Sequence, residues 1–245
     1  MQMTYVQVHL CHFVESLVAP TLRSFLQNYP SVEAKIQPAP GFLTVVLQSE
    51  DSACVHQVEA DLKARFLTYV FSSASGKIEE ALQDRFVREK KTLALAESCT
   101  GGQIAAQLVS IPGASDYFLG SLVTYSNPMK CAILGVSEHT LQKAGAVSRE
   151  TALEMLSGVF ERTGADYALA ITGIAGPSGG SVDKPVGTMW AALGVRGVAP
   201  ESGTFLVAGD RRTQMLTVSN HLLCALWRKI TYGVPVFPFL SINPQ

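Results

Sequence analysis

Short runs that are apolar at nearly every position recur along this chain and alternate with stretches of helical periodicity. Thr92 to Ala96 (TLALA), Tyr167 to Thr172 (YALAIT) and Thr188 to Val195 have no polar face to offer to water. Strands of that kind must be covered on both sides, which is the habit of parallel sheets. Alternating with helices, they predict a three-layer α/β/α domain with a largely parallel sheet. Further short strands are expected at Leu122 to Tyr125 and Thr204 to Val207. Helices are expected at Gly102 to Ser110, at Pro128 to Leu134, from Ser148 through Leu153, Leu156, Val159 and Phe160, and from Arg211 to Trp227. Ligands in such sheets bind beyond the carboxyl ends of the strands, so the chemistry is sought there.

The first 75 residues read differently. Val6, Val8 and Leu10 alternate with polar residues as in a half-buried strand. Leu17, Leu22, Phe25 and Leu26 have helical spacing, with Pro20 read as lying near the helix start. Gly41 to Gln48 and Leu67 to Phe71 read as strands, and Val55, Val58, Leu62 and Phe66 mark one face of a second helix. Residues 1–75 are therefore expected to form a small α+β domain of three or four strands and two helices. The Ser- and Gly-containing stretch Ser72 to Lys77 is the linker candidate. Ile78, Leu82 and Phe86 then form an amphipathic stripe ending in Arg88, Lys90 and Lys91, which suit a helix C-terminus. The expected division is 1–75, 76–232 for the α/β domain, and a tail, 233–245.

Composition narrows the functional classes. With 245 residues, 47% hydrophobic and 16% charged, the chain can bury a real core. A net charge of -1 gives no footprint for nucleic acid. No apolar run is long enough to span a membrane, and Met1 to Pro20 lacks the basic start of a secretory signal. A cytoplasmic protein is expected. Five cysteines without CxxC or CxxH spacing suggest neither a zinc site nor a disulfide framework.

Four loops fall at or near strand ends. Glu97-Ser98-Cys99-Thr100-Gly101-Gly102 places a Gly pair at the opening of a helix. Its N–H groups can cradle an anion or form an oxyanion hole; alternatively Ser98 or Thr100 is only an N-cap. Cys99, beside a helix N-terminus where a thiolate is favoured, is a rival nucleophile to Ser98. In Thr124 to Lys130, Asn127 reads as N-cap and Pro128 as first helical residue. Lys130 then lies in the first turn, where the helix dipole opposes its charge and lowers its pKa. It is a general-base candidate, or else a solvated surface lysine. Thr172 to Gly180 holds four Gly and one Pro in nine residues without a P-loop pattern. It contacts a ligand or is an irregular surface loop. In Gly209-Asp210-Arg211-Arg212, Asp210 reads as N-cap, and the arginines either meet a bound anion or are neutralised by Asp210. His9, His12, His56, His139 and His221 show no catalytic setting.

These loops, in this order, resemble the C-terminal domain of the CinA (competence/damage-inducible) family, which also occurs alone as nicotinamide mononucleotide deamidase. The resemblance rests on LALAESCTGGQIA (93–105), GSLVTYSNPMKCAILGV (120–136), GAVSRETA (145–152), ITGIAGPSGGSVDKPVGTMW (171–190) and GDR (209–211). Residues 1–75 resemble the small KH-like middle domain of full-length members. That segment has no GxxG loop and more acidic than basic residues, so RNA binding is not expected. The molybdopterin-binding-like first domain of those members is expected to be absent.

The resemblance implies hydrolysis of the carboxamide of nicotinamide mononucleotide to nicotinic acid mononucleotide and ammonia. It implies Ser98 as nucleophile, Lys130 as its base and Tyr125 as an orienting group. Thr100, Gly101 and Gly102 are the expected oxyanion donors. Thr172, Gly173, Ala175 and Gly176 are expected to line the nucleotide pocket, and Arg211 to meet the phosphate or play a structural part. No metal and no cofactor is implied; a homodimer or higher homo-oligomer is. One position departs: the family's second arginine, four residues beyond the first, is Met215 here. Arg212 could replace it but lies about 100° round the helix from Arg211. The competing readings are a non-catalytic member that binds the nucleotide without turnover, and an amidase using Cys99. The apolar tail Tyr232 to Leu240 is expected to be covered, by the neighbouring domain or by a second subunit.

Overall fold

The structure, a computed structural model, describes residues 3–11, 15–235 and 237, the side chains of 15–18 excepted. The chain forms two compact units, Met1–Ala81 and Leu82–Gln245. Of the predicted apolar tail, 236 and 238–240 lie outside the described residues, and Phe237 is buried against Gly203 of the same unit.

In the first unit the order is β1 (Thr4–Cys11), α1 (Glu15–Leu26), β2 (Glu33–Ala39), β3 (Phe42–Ser49), α2 (Ser52–Arg65) and β4 (Val70–Phe71). The strands form an antiparallel sheet in the order β2-β3-β1-β4. Val8 pairs with Val45 and Leu10 with Leu43, so the alternating apolar residues share one face. They pack on Val55, Val58 and Leu62 of α2, as the periodicity requires. Two expectations shift. Pro20 lies inside α1, with its side chain exposed, rather than near its start. And β2 is a strand that the sequence reading left out. Among the described residues it is the sheet's edge, paired only with β3, which is where a strand tolerates Pro38.

The elements that follow are α3 (Ile78–Glu89), β5 (Leu93–Glu97), α4 (Gln103–Val109), β6 (Phe118–Val123), α5 (Asn127–Leu134), α6 (Glu138–Lys143), α7 (Arg149–Thr163), β7 (Tyr167–Gly173), β8 (Thr188–Val195), β9 (Glu201–Leu206) and α8 (Arg211–Tyr232). The sheet order is β6-β5-β7-β8-β9. The three strands whose ends carry the conspicuous loops run parallel. β8 and β9 are added antiparallel, because the connections before them contain no helix to carry the chain back across the sheet. The expected three layers are present. One face is nearly all alanine, Ala94, Ala96, Ala168, Ala170 and Ala192, packed on Ala152, Met155, Leu156 and Val159 of α7. Small residues there let α7 lie close: a Cβ on Gly194 would stand 2.7 Å from the Phe160 ring. On the other face, Phe86 of α3 stacks on Tyr117 and meets Tyr167 edge-on, and Phe205 of β9 meets His221 of α8.

Element limits move: β9 begins three residues earlier than expected, and β4 three residues later. β6 begins four residues earlier than expected, α8 continues to Tyr232 where Gly233 caps it, and the short α6 was not foreseen. Among the described residues no helix is long and apolar enough to cross a membrane.

Candidate active site

β5 and β6 end side by side, and each delivers one half of a pair. Ser98 follows β5; its N–H donates to the Ile171 carbonyl of β7 at 3.0 Å. Lys130 comes from the first turns of α5, directly after β6. The helix is capped by Ser126, whose hydroxyl accepts the Met129 N–H. The predicted cap, Asn127, is one residue too late, because the backbone of Ser126 is already extended and its side chain reaches the free N–H. Pro128 still lies in the first turn.

Lys130 is not a solvated lysine. It is 1% exposed, and its Nζ lies 2.8 Å from Ser98 Oγ, 2.9 Å from the Thr124 carbonyl and 3.5 Å from the Tyr125 carbonyl. Among the described residues no carboxylate lies within ion-pair distance of it. Burial therefore holds its pKa below the usual lysine value. Desolvation is the largest cause. A neutral amine has two N–H groups and one lone pair. The two carbonyls accept the N–H groups, which leaves the lone pair for the Ser98 hydroxyl.

Cys99 behaves oppositely to expectation. It is buried against Met189, Sγ to Sδ 3.6 Å, and burial pushes its thiol pKa up to about 12. The thiolate expected from its place near a helix N-terminus is suppressed by the apolar surroundings.

The loop between β5 and α4 is organised by a residue that the sequence reading passed over. Glu97 is completely buried. Its carboxylate accepts from the Thr100 hydroxyl (2.8 Å), the N–H groups of Gly102, Ile104 and Ala105 (3.0–3.1 Å) and the Ser121 hydroxyl (3.0 Å). The available signal was a charged residue closing an otherwise apolar run. The anion cradle expected at the opening of α4 is thus filled by the protein's own carboxylate, and neither Ser98 nor Thr100 is the N-cap. Gly102, at φ 97°, occupies that position without a side-chain bond. Two of the three expected oxyanion donors are engaged within the protein: Gly102 gives its N–H to Glu97, and Gly101 gives its N–H to the Ser98 carbonyl. A Cβ on Gly101 would meet nothing within 4 Å, so the loop is open to solvent there.

The remaining predicted residues divide. Thr172 is buried and donates its hydroxyl to the Ala146 carbonyl at 2.8 Å, a structural bond rather than a free pocket group. Gly173 packs where a Cβ would stand 2.9 Å from the Thr188 carbonyl and 3.1 Å from Cys99 Sγ. Ala175 is buried. Gly176, Arg211 and Tyr125 come together. Arg211 donates to the Gly176 carbonyl (3.0 Å) and to the Tyr125 hydroxyl (2.8 Å). Tyr125 meets Lys130 through its carbonyl, while its exposed ring belongs to this arginine bridge. Asp210 caps α8 through the Thr213 N–H, as read from the sequence. Met215 is half-buried one turn beyond Arg211, and Arg212 is exposed. Lys184, farther along the Gly-rich loop, donates to the Ala144 and Val147 carbonyls and ties that loop down.

Residues 75–230 match the model of the CinA C-terminal domain. A CinA-like protein of Chlorobium limicola is 36% identical over 219 residues, covering 87% of this chain and 49% of its own length. One from Myxococcus xanthus is 42% identical over 191 residues, covering 78% and 45%. The chain spans about half the length of these relatives. The crystal structure of competence damage-inducible protein A from Klebsiella pneumoniae superposes with a TM-score of 0.61 at 34% identity, covering 63% of this chain and 96% of that one. Competence/damage inducible protein CihA from Agrobacterium tumefaciens superposes with a TM-score of 0.60 at 37% identity, covering 64% and 95%. With the matching domain taking in more than half of its length, the chain belongs to the CinA family.

Proposed function

We propose that this protein hydrolyses the carboxamide of nicotinamide mononucleotide, releasing nicotinic acid mononucleotide and ammonia. The observation that carries the reading is the 2.8 Å contact between Ser98 Oγ and the buried Lys130 Nζ. Neutral Lys130 takes the hydroxyl proton as Ser98 Oγ attacks the amide carbon. The protonated lysine then gives that proton to the departing nitrogen, and ammonia leaves an acyl-serine. Lys130, neutral again, activates the water that releases the acid. Arg211, on the exposed Tyr125–Gly176 bridge, is positioned to exchange those neutral partners for a phosphate. The residues needed lie within 76–232, and the chemistry calls for no metal or nucleotide cofactor. Ammonia release from the mononucleotide by the purified chain, lost in Ser98→Ala, tests the reading; release undiminished in that variant sinks it. A second reading is favoured by Met215 alone: a protein that binds the nucleotide without turning it over. It requires saturable binding with no ammonia formed.

A further inference from the structure

We infer that Glu97 is the positioning residue of the dyad, an inference that rests on Ser98 and Lys130 being the reacting pair. A completely buried carboxylate is costly unless its lone pairs are filled. Here five hydrogen bonds fill them, and their origins show what the group holds together. Thr100 and Gly102 belong to the turn that carries Ser98. Ile104 and Ala105 are the first turn of α4. Ser121 lies on β6. A cap needs none of this: a Ser or Asp at position 102 would satisfy a free N–H of the helix at far lower cost. Instead the chain places Gly at the cap and reaches in from the strand, which pins the turn to the end of β5.

The backbone of the same residue holds the other half of the pair. The Glu97 carbonyl accepts the Thr124 N–H at 2.9 Å, and the Thr124 carbonyl in turn accepts from Lys130 Nζ at 2.9 Å. Nucleophile and base therefore hang from one residue, one through its side chain and one through its main chain. Loss of the carboxylate frees the serine turn while leaving the base anchored, so it changes their separation rather than the substrate pocket.

The test compares the unaltered chain with Glu97→Gln and Ser121→Ala. Each protein is first shown to be folded by its thermal transition. Ammonia release from nicotinamide mononucleotide is then measured, together with the rate at which a fluorophosphonate labels Ser98. Gln presents an amide N–H₂ where backbone N–H groups or hydroxyls need an acceptor. A displacement of the order of 1 Å lowers kcat about 100-fold. KM is expected to stay within about twofold, because groups made only for the transition state do not set substrate binding. Labelling falls in step. Ser121→Ala, which removes one bond of the five, lowers kcat about fivefold at constant KM. A folded Glu97→Gln with unaltered kcat and labelling, or with its loss wholly in KM, overturns the inference. Should Glu97→Gln not fold, Ser121→Ala decides: lowered kcat at constant KM supports the role, and unaltered kcat refutes it. An unaltered chain that neither releases ammonia nor is labelled overturns the dyad and the role of Glu97 together.

Discussion

Gly158 lies in the middle of α7, far in sequence from the proposed chemistry, yet its replacement by Ala is expected to disable the site. A Cβ there would stand 2.7 Å from the carbonyl carbon of Leu134 and 2.8 Å from its Cα, and closer still to the carbonyl oxygen. Leu134 is the last residue of α5, one turn beyond Lys130. The obstacle is backbone, so no side chain can swing aside. The carbonyl oxygen is the nearest obstacle, and restoring ordinary contact with it moves α5 outward by roughly 1 Å or more. Two effects oppose each other in stability. Ala gains about 1 kcal/mol over Gly within a helix, and overpacking costs about 1–3 kcal/mol. The backbone clash puts the cost at the upper end, a net loss of about 2 kcal/mol. For a unit of this size that is a fall of about 4–8 °C in Tm. Lys130 moves with α5 while Ser98 stays on β5, and kcat falls by one to two orders of magnitude, roughly. Differential scanning calorimetry and ammonia release from the mononucleotide measure both. A Gly158→Ala protein as stable and as active as the parent would refute the claim that α5 is seated on the α7 backbone.

Four further outcomes follow from the site. Because Lys130 acts as a neutral base and burial lowers its pKa, kcat rises with pH through that lowered value, and Lys130→Arg, always charged, loses activity at every pH. The same depression has a stability sign: as pH falls below the ordinary value of 10.5, the unfolded chain takes up the proton first, and the folded state loses stability until the lowered value is passed. Replacing Lys130 by Met therefore flattens the alkaline part of the stability–pH curve, and an unchanged curve would contradict the burial argument. Cys99→Ala retains activity within a few-fold, and iodoacetamide at neutral pH leaves Cys99 unmodified in the folded protein, since its thiol titrates at about 12; inactivation by the reagent with modification at Cys99 would restore the cysteine as nucleophile. Met215→Arg, placing a second cation one turn beyond Arg211, lowers KM for the mononucleotide about tenfold; a KM that does not fall removes Met215 from the account of substrate binding.

The elements legible in the sequence were those whose pattern is local. LALA and YALAIT could only be strands covered on both sides, and the stripe Val55, Val58, Leu62 could only be one face of a helix. Edge elements were less legible. β2 hides behind its proline, and β6, whose residues are only partly buried, was displaced by four residues because its apolar alternation is weak. The candidate pair was legible for a different reason: Ser98 and Lys130 lie in loops that follow strands, and the ends of adjacent parallel strands meet.

The sequence alone determined the α/β layering, the loops in which reactive groups sit, and the kinship with the CinA family. Each is written in runs of neighbouring residues. Only the tertiary structure decided which groups are charged, which are spent and which are free. Lys130 and Cys99 look alike beside helix starts, yet one is buried with carbonyl partners and a serine, and the other against a thioether. Glu97 reads as a polar residue ending a strand until five donors converge on it, four from the turn and helix start that follow and one from β6. Protonation and hydrogen-bond satisfaction depend on the whole surrounding shell, assembled from residues distant in the chain, so no local pattern can carry them.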